Sequence, residues 1–110
     1  MTFGRRGAMG AALAALVVRP GSLRAGSTTH EVVIEKFRFV PEELEVRIGD
    51  RVRWINRDIA PHTATAVTKD WNSGRLKKGE IAELEVQAGM SEDYFCLYHP
   101  KMKAVLRVVG

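Results

Sequence analysis

An all-β domain, an antiparallel sandwich or barrel, is predicted for the chain beyond residue 26, and three observations predict it. Apolar and charged residues alternate at period two in several short stretches, the pattern of strands buried on one face. Turn formers punctuate those stretches at regular intervals. No window beyond residue 26 carries a convincing helical period.

The segment before that domain has a different character. Arg5-Arg6 precede an uncharged run from Ala8 to Val18, followed by Pro20-Gly21 and a small-residue site at Leu23-Arg24-Ala25. This is the layout of an export signal, and the paired arginines hint at the twin-arginine route. At 11 residues the apolar run is too short to span a bilayer as a helix. The expected division is residues 1–25 as signal and residues 26–110 as one exported, periplasmic domain.

The charge balance follows from that division. The chain carries 17 Lys and Arg against 13 Asp and Glu, a formal net charge of +4. Arg5, Arg6, Arg19 and Arg24 lie before residue 26, which leaves 13 cations against 13 anions in a neutral domain. The basic excess belongs to the signal, so no nucleic-acid partner is expected.

Within the domain each element has its own signal. Val32 and Ile34 alternate with charged neighbours, and Phe37 and Phe39 continue on the opposite phase, which predicts a bulge near Lys36. Pro41-Glu42-Glu43 ends that strand. Leu44, Val46 and Ile48 alternate up to a Gly49-Asp50 turn, and Val52 and Trp54 alternate beyond it. Asn56 to Pro61 breaks the pattern as a loop leading to His62, and Thr63 to Val67 is rich in β-formers. Lys69 to Gly79 is a connection held by Trp71 and Leu76. Ala82, Leu84 and Val86 mark the next strand, Gly89 and Ser91 a turn, Tyr94 and Cys96 an inward pair, and Ala104 to Val109 the last strand. Neither repeats nor linkers divide the domain.

One constellation carries chemistry. Exported proteins enter an oxidising compartment where cysteines pair, yet Cys96 is the only cysteine, so no intramolecular disulfide is possible. The loop Cys96-Leu97-Tyr98-His99-Pro100-Lys101-Met102 sets a thiolate, an imidazole and a thioether between two strands, and His62, stiffened by Pro61, offers a second imidazole. Taken singly, each has an ordinary reading as a surface histidine, a core methionine or an inert buried thiol. Together they form the soft set that selects copper. A structural zinc site wants four Cys or His ligands; His62, Cys96 and His99 match a catalytic zinc count, but a thioether is a poor zinc ligand. Two histidines and a thiolate with a weak axial methionine describe a blue-copper centre. His30 and Met90 fall outside it. With no nucleophile motif and no second metal cluster, an enzyme is not expected.

These residues resemble the cupredoxins, most closely their amicyanin and plastocyanin branch. The likeness runs through Phe39 and Pro41, Gly49-Asp50, Trp54-Ile55-Asn56, Pro61-His62-Thr63, Ser73-Gly74 with Gly79-Glu80, and Tyr94-Phe95-Cys96 to His99-Pro100 and Met102. The short Cys-x-x-His-x-x-Met loop looks like the amicyanin type. The resemblance implies a Greek-key sandwich with one type 1 copper cycling between Cu(I) and Cu(II), held by His62, Cys96 and His99 with Met102 axial. It implies a monomeric one-electron carrier whose partner is a c-type cytochrome, a dehydrogenase or an oxidase. It also implies an apolar docking surface of Ile59, Ala60, Pro61, Tyr98 and Pro100 around His99, with Lys101 and Lys103 to steer an acidic partner. A copper transport or storage protein, or a non-redox module on the same fold, are the alternatives.

Departures from the family pattern add three expectations. Thr63 stands where the family often has an asparagine that ties the ligand loops, so a weaker tie is expected. Tyr98 replaces a common proline and leaves an N–H free to donate to the Cys96 sulfur. The brevity of the domain points to a trimmed strand or loop between Val67 and Ile81.

Overall fold

A computed structural model describes residues 26–110, and the signal expected over residues 1–25 lies outside the described residues. Eight strands follow in order: β1 (Thr29–Glu35), β2 (Arg38–Val40), β3 (Glu43–Arg47), β4 (Arg51–Asn56), β5 (Thr65–Ala66), β6 (Ile81–Glu85), β7 (Asp93–Phe95) and β8 (Lys103–Val109). They build two four-stranded sheets, ordered β2-β1-β4-β6 and β3-β8-β7-β5. The predicted sandwich is present, and no helix occurs among the described residues.

Alternation explains which side of each strand faces inward. Val32 and Ile34 from β1, Val52 and Trp54 from β4, Val46 from β3, Tyr94 from β7, and Ala104 and Leu106 from β8 are buried between the sheets. Four aromatic rings knit the centre. Trp54 stacks on Trp71 with centroids 5.5 Å apart, and Tyr94 meets Phe39, Trp54 and Trp71 at 4.8, 5.6 and 5.4 Å. The buried Trp54 Nε1–H donates to the Tyr94 hydroxyl at 3.3 Å, so the one polar end of each ring is satisfied inside the core. Burial pushes the Tyr94 hydroxyl well above its ordinary pKa, against the smaller opposing pull of that bond.

Two pairings are parallel, which local alternation does not disclose. β1 runs beside β4 with Thr29 next to Arg51 and Ile34 next to Asn56, and β3 runs beside β8 from Glu43 and Val105 to Arg47 and Val109. Parallel neighbours need a crossover. Between β1 and β4 the chain supplies one by passing to the other sheet as β3 and returning. Between Ala66 and Ile81 no strand forms, and the chain there is held by the isolated bridges His62 to Leu76 and Thr65 to Asn72.

The phase change near Lys36 is a tight hairpin turn rather than a bulge. Glu35 pairs with Arg38, and the two residues between them, Lys36 and Phe37, have φ of 54° and 58°. This mirror-image turn follows the twist of its strands and normally takes Asn-Gly. Left-handed backbone at an L-residue costs about 1–2 kcal/mol. The carboxylate of Asp58 offsets it: Oδ1 accepts the Lys36 N–H at 2.7 Å and Oδ2 the Phe37 N–H at 2.9 Å.

Strand directions place this turn, the 57–64 loop and the 96–102 loop at one end of the sandwich. At the other end Asp50 is buried and accepts the Thr28 N–H (3.0 Å), the Arg47 N–H (3.0 Å) and His30 Nε2 (2.9 Å). Burial raises its pKa, but the bonds from His30, Thr28 and Arg47 outweigh burial and bring it from 3.8 down to about 2.

Two outcomes follow for stability. A carboxyl with a depressed folded pKa stabilises above its unfolded value and loses that stabilisation as pH falls through the folded one. Denaturant titrations should therefore show Asp50 contributing about 2 kcal/mol at neutral pH that disappears between about pH 4 and pH 2, with a shallower loss in Asp50→Asn. Lys36→Gly removes a left-handed L-residue while keeping the N–H on Asp58, and the same titration at neutral pH should show a gain of about 1 kcal/mol.

Candidate metal centre

Asn56 closes β4 and shapes the loop that carries His62. Fully buried, it donates through Nδ2 to the carbonyls of Ala60 (3.0 Å) and Leu76 (2.8 Å), and its Oδ1 accepts the Asp58 N–H at 2.9 Å. His62 is then fixed by backbone bonds in both directions with Leu76, at 3.0 and 2.8 Å.

The ring of His62 is oriented by a carboxylate. Its Nε2 lies 2.8 Å from Asp58 Oδ2, and the residue has no solvent exposure. Burial pushes the Asp58 carboxyl up, but its bonds with Phe37, His62 and Lys36 together hold it below the usual range. An ionised carboxylate can only accept, so it favours the tautomer in which Nε2–H donates to it and the neutral ring keeps its lone pair on Nδ1. That lone pair faces the sulfur of Cys96 at 3.6 Å.

Cys96 directly follows β7 and has no solvent exposure. The loop after it is tied to itself: the Cys96 N–H donates to the Met102 carbonyl (3.1 Å), the His99 N–H to the Cys96 carbonyl (3.2 Å) and the Met102 N–H to the His99 carbonyl (2.8 Å). Met102 is buried in the same core as Cys96. His99 is half-buried, with its ring centroid 5.1 Å from that of His62.

Thr63 joins the two loops. Its N–H points at the Cys96 sulfur at 3.4 Å, and its hydroxyl oxygen accepts the Leu97 N–H at 2.9 Å. The proton order is determined. The Thr65 hydroxyl donates to Asn72 Oδ1 at 3.2 Å, so the Thr63 hydroxyl donates to Thr65 at 2.9 Å and keeps a lone pair for Leu97. A threonine thus makes two ties between the loops, where a weaker link was expected. The N–H placed on the sulfur is that of Thr63, not that of Tyr98.

The pair of His62 and Cys96 has the donor types and the spacing that suit copper. Two donors bound to one ion at about 2.0–2.3 Å, with an angle between tetrahedral and trigonal, stand about 3.5 Å apart, close to the 3.6 Å between Cys96 Sγ and His62 Nδ1. Among the described residues no three His, Cys, Asp or Glu side chains are gathered closely enough to hold an ion by themselves. The structure brings His62 and Cys96 together as a donor pair, sets His99 edge-on to His62, and anchors Met102 by its backbone on the same loop. His30 is engaged with Asp50 at the far end, and Met90 accepts the Gln87 N–H through its sulfur at 3.3 Å.

Three contributors were not legible as site residues. Asp58 precedes His62 by four positions, a spacing with no recognised meaning in a loop. Phe37 looked like a strand residue but packs edge-on to His62 (5.2 Å) and His99 (4.8 Å). Asn56 entered only through the family pattern.

No family model matches the chain. Among curated proteins it is 33% identical to amicyanin-alpha of Methylorubrum extorquens, over 72% of this chain and 69% of that protein. It is 34% identical to amicyanin of Paracoccus denitrificans, over 66% of this chain and 59% of the relative. Among solved structures an oxidised amicyanin variant superposes with a TM-score of 0.67 at 29% identity, covering 73% of this chain and 81% of that one. On this sequence and structural similarity, the chain belongs to the cupredoxins, the type 1 copper electron carriers, with amicyanins as its relatives.

Proposed function

We propose that the protein is a periplasmic one-electron carrier that holds a single type 1 copper through His62, Cys96, His99 and Met102. One observation carries this reading: the Cys96 sulfur faces Nδ1 of His62 at 3.6 Å, with both residues fully buried and two further donors on the same short loop. Copper bound there supplies one-electron chemistry by alternating between Cu(I) and Cu(II).

The chain's own groups supply the rest. Backbone bonds through Cys96, His99 and Met102 fix the loop before an ion arrives, and donors held rigidly rearrange little when charge changes. Burial of Cys96, His62 and Met102 keeps water from the sulfur. The Thr63 N–H withdraws charge from the thiolate, which favours the reduced state. Asp58 holds the tautomer in which His62 presents its lone pair inward.

His99 supports an exit to the surface. Ile59, Phe37, Tyr98 and Leu97 are 86%, 49%, 48% and 42% exposed on the loops that surround the two histidines. Such an apolar face suits the small, short-lived contacts of electron-transfer encounters. A c-type cytochrome, a dehydrogenase or an oxidase is the class of partner this implies. Residues 1–25, read as an export signal, support the periplasmic assignment.

Adding Cu(II) to the purified domain should produce an intense visible thiolate-to-copper band that is absent in Cys96→Ser; a colourless wild type sinks the proposal. Thr63→Val strands the Leu97 N–H. Denaturation of the metal-free domain should show a loss of about 1–3 kcal/mol, and competition with a chelator about a tenfold to hundredfold weaker hold on copper.

A further inference from the structure

Lys36-Phe37 is a poor dipeptide for the turn it occupies. Both residues are left-handed, at φ 54° and 58°, where Asn-Gly is at ease. Nor does the turn hide the aromatic ring, which is 49% exposed. Folding alone gives no reason for a phenylalanine here, since a half-buried ring contributes less than a core one and its backbone is strained.

What the turn achieves is placement. The Phe37 ring meets His62 at 5.2 Å and 88° and His99 at 4.8 Å and 80°, while the two imidazoles meet each other at 5.1 Å and 61°. The three rings close a triangle of edge contacts, each resting against the other two. The needs of the two histidines differ. His62 is fully buried and has Asp58 on its outer nitrogen. His99 is half-buried on a loop, and among the described residues its ring makes no hydrogen bond, so the edge contacts with Phe37 and His62 bear on its orientation. The carboxylate that accepts the Phe37 N–H also holds His62, which makes the turn and the first imidazole one mechanical unit.

We propose that Phe37 is a positioning residue for the copper centre, a wedge that the strained turn presses against both imidazoles to fix the orientation of His99. The proposal rests on the copper-carrier reading. It assigns the strain at Lys36-Phe37 to the site: the turn gives up an easier sequence so that the half-exposed ligand arrives with its ring already aimed.

Phe37→Asn tests this, because asparagine tolerates the left-handed backbone and keeps the N–H on Asp58 while removing the ring. Phe37→Tyr restores a ring. In the metal-free domain, NMR of the His99 ring should show one conformation in the wild type and Phe37→Tyr, and exchange between conformations in Phe37→Asn, with no fall in melting temperature. After Cu(II) is added, Phe37→Asn should still turn blue, with an altered ratio of visible bands, a shifted reduction potential, and electron self-exchange slower by about tenfold. Phe37→Tyr should return all three towards wild type. An unchanged His99 spectrum, potential and self-exchange rate in Phe37→Asn would overturn the wedge, and so would equal damage in Phe37→Tyr. If the wild type takes up no copper, the carrier reading fails separately, and the metal-free NMR comparison decides the wedge alone.

Discussion

A two-rung ladder governs the distance between the segments that carry the donors. β5 pairs with β7 through Thr65 beside Phe95 and Ala66 beside Tyr94. Continuing that antiparallel register by two residues brings Thr63 opposite Leu97, where the Thr63 hydroxyl accepts the Leu97 N–H. His62 and Cys96 flank that junction, so the spacing of the imidazole and the sulfur is inherited from a register rather than negotiated by free loops. A slip of one residue would turn every side chain of β5 to the opposite face. β5 is short, and its register is reinforced from the other side by Ala64 and Ser73, joined through the Ser73 N–H to the Ala64 carbonyl at 2.9 Å and the Ala64 N–H to Ser73 Oγ at 2.8 Å.

Asp58 performs the corresponding task for the opposite sheet. A single carboxylate, positioned by Asn56 at the end of β4, reaches the turn between β1 and β2 and the outer nitrogen of His62. Strain in the turn and order in the imidazole are thereby parts of one network, and a network that is fully satisfied at a buried site rigidifies it. The pattern matches a general tendency for unfavourable backbone to collect where function needs a side chain held in an otherwise unpopular place.

The sequence discloses some of this and conceals the rest for identifiable reasons. Val32, Ile34, Val52, Trp54 and Leu106 announce the core because burial on one face of a strand imposes period two. Cys96, His99 and Met102 announce a soft donor set because they stand three residues apart on one loop that leads into the last strand, with His62 after a stiffening proline. The parallel pairings stay hidden, since they depend on a chain crossing between sheets. Alternation reads the turn at Lys36-Phe37 as a bulge because neither residue favours a left-handed conformation, and the partner that makes it tolerable, Asp58, lies some twenty residues away. A missing proline points to Tyr98, whereas the donor that meets the sulfur is Thr63, whose approach is set by the ladder across from it.

The far end of the sandwich has its own consequence. Thr28 is bound in both directions, its N–H to the Asp50 carboxylate and its carbonyl to the Arg51 N–H at 2.9 Å, and β1 runs from there straight to the hairpin beside the histidines. Any tether, carrier or electrode linker joined ahead of Thr28 therefore leaves the molecule at the pole opposite His99. A domain immobilised through that end would stand with its His99 end, the proposed point of electron exchange, turned outward.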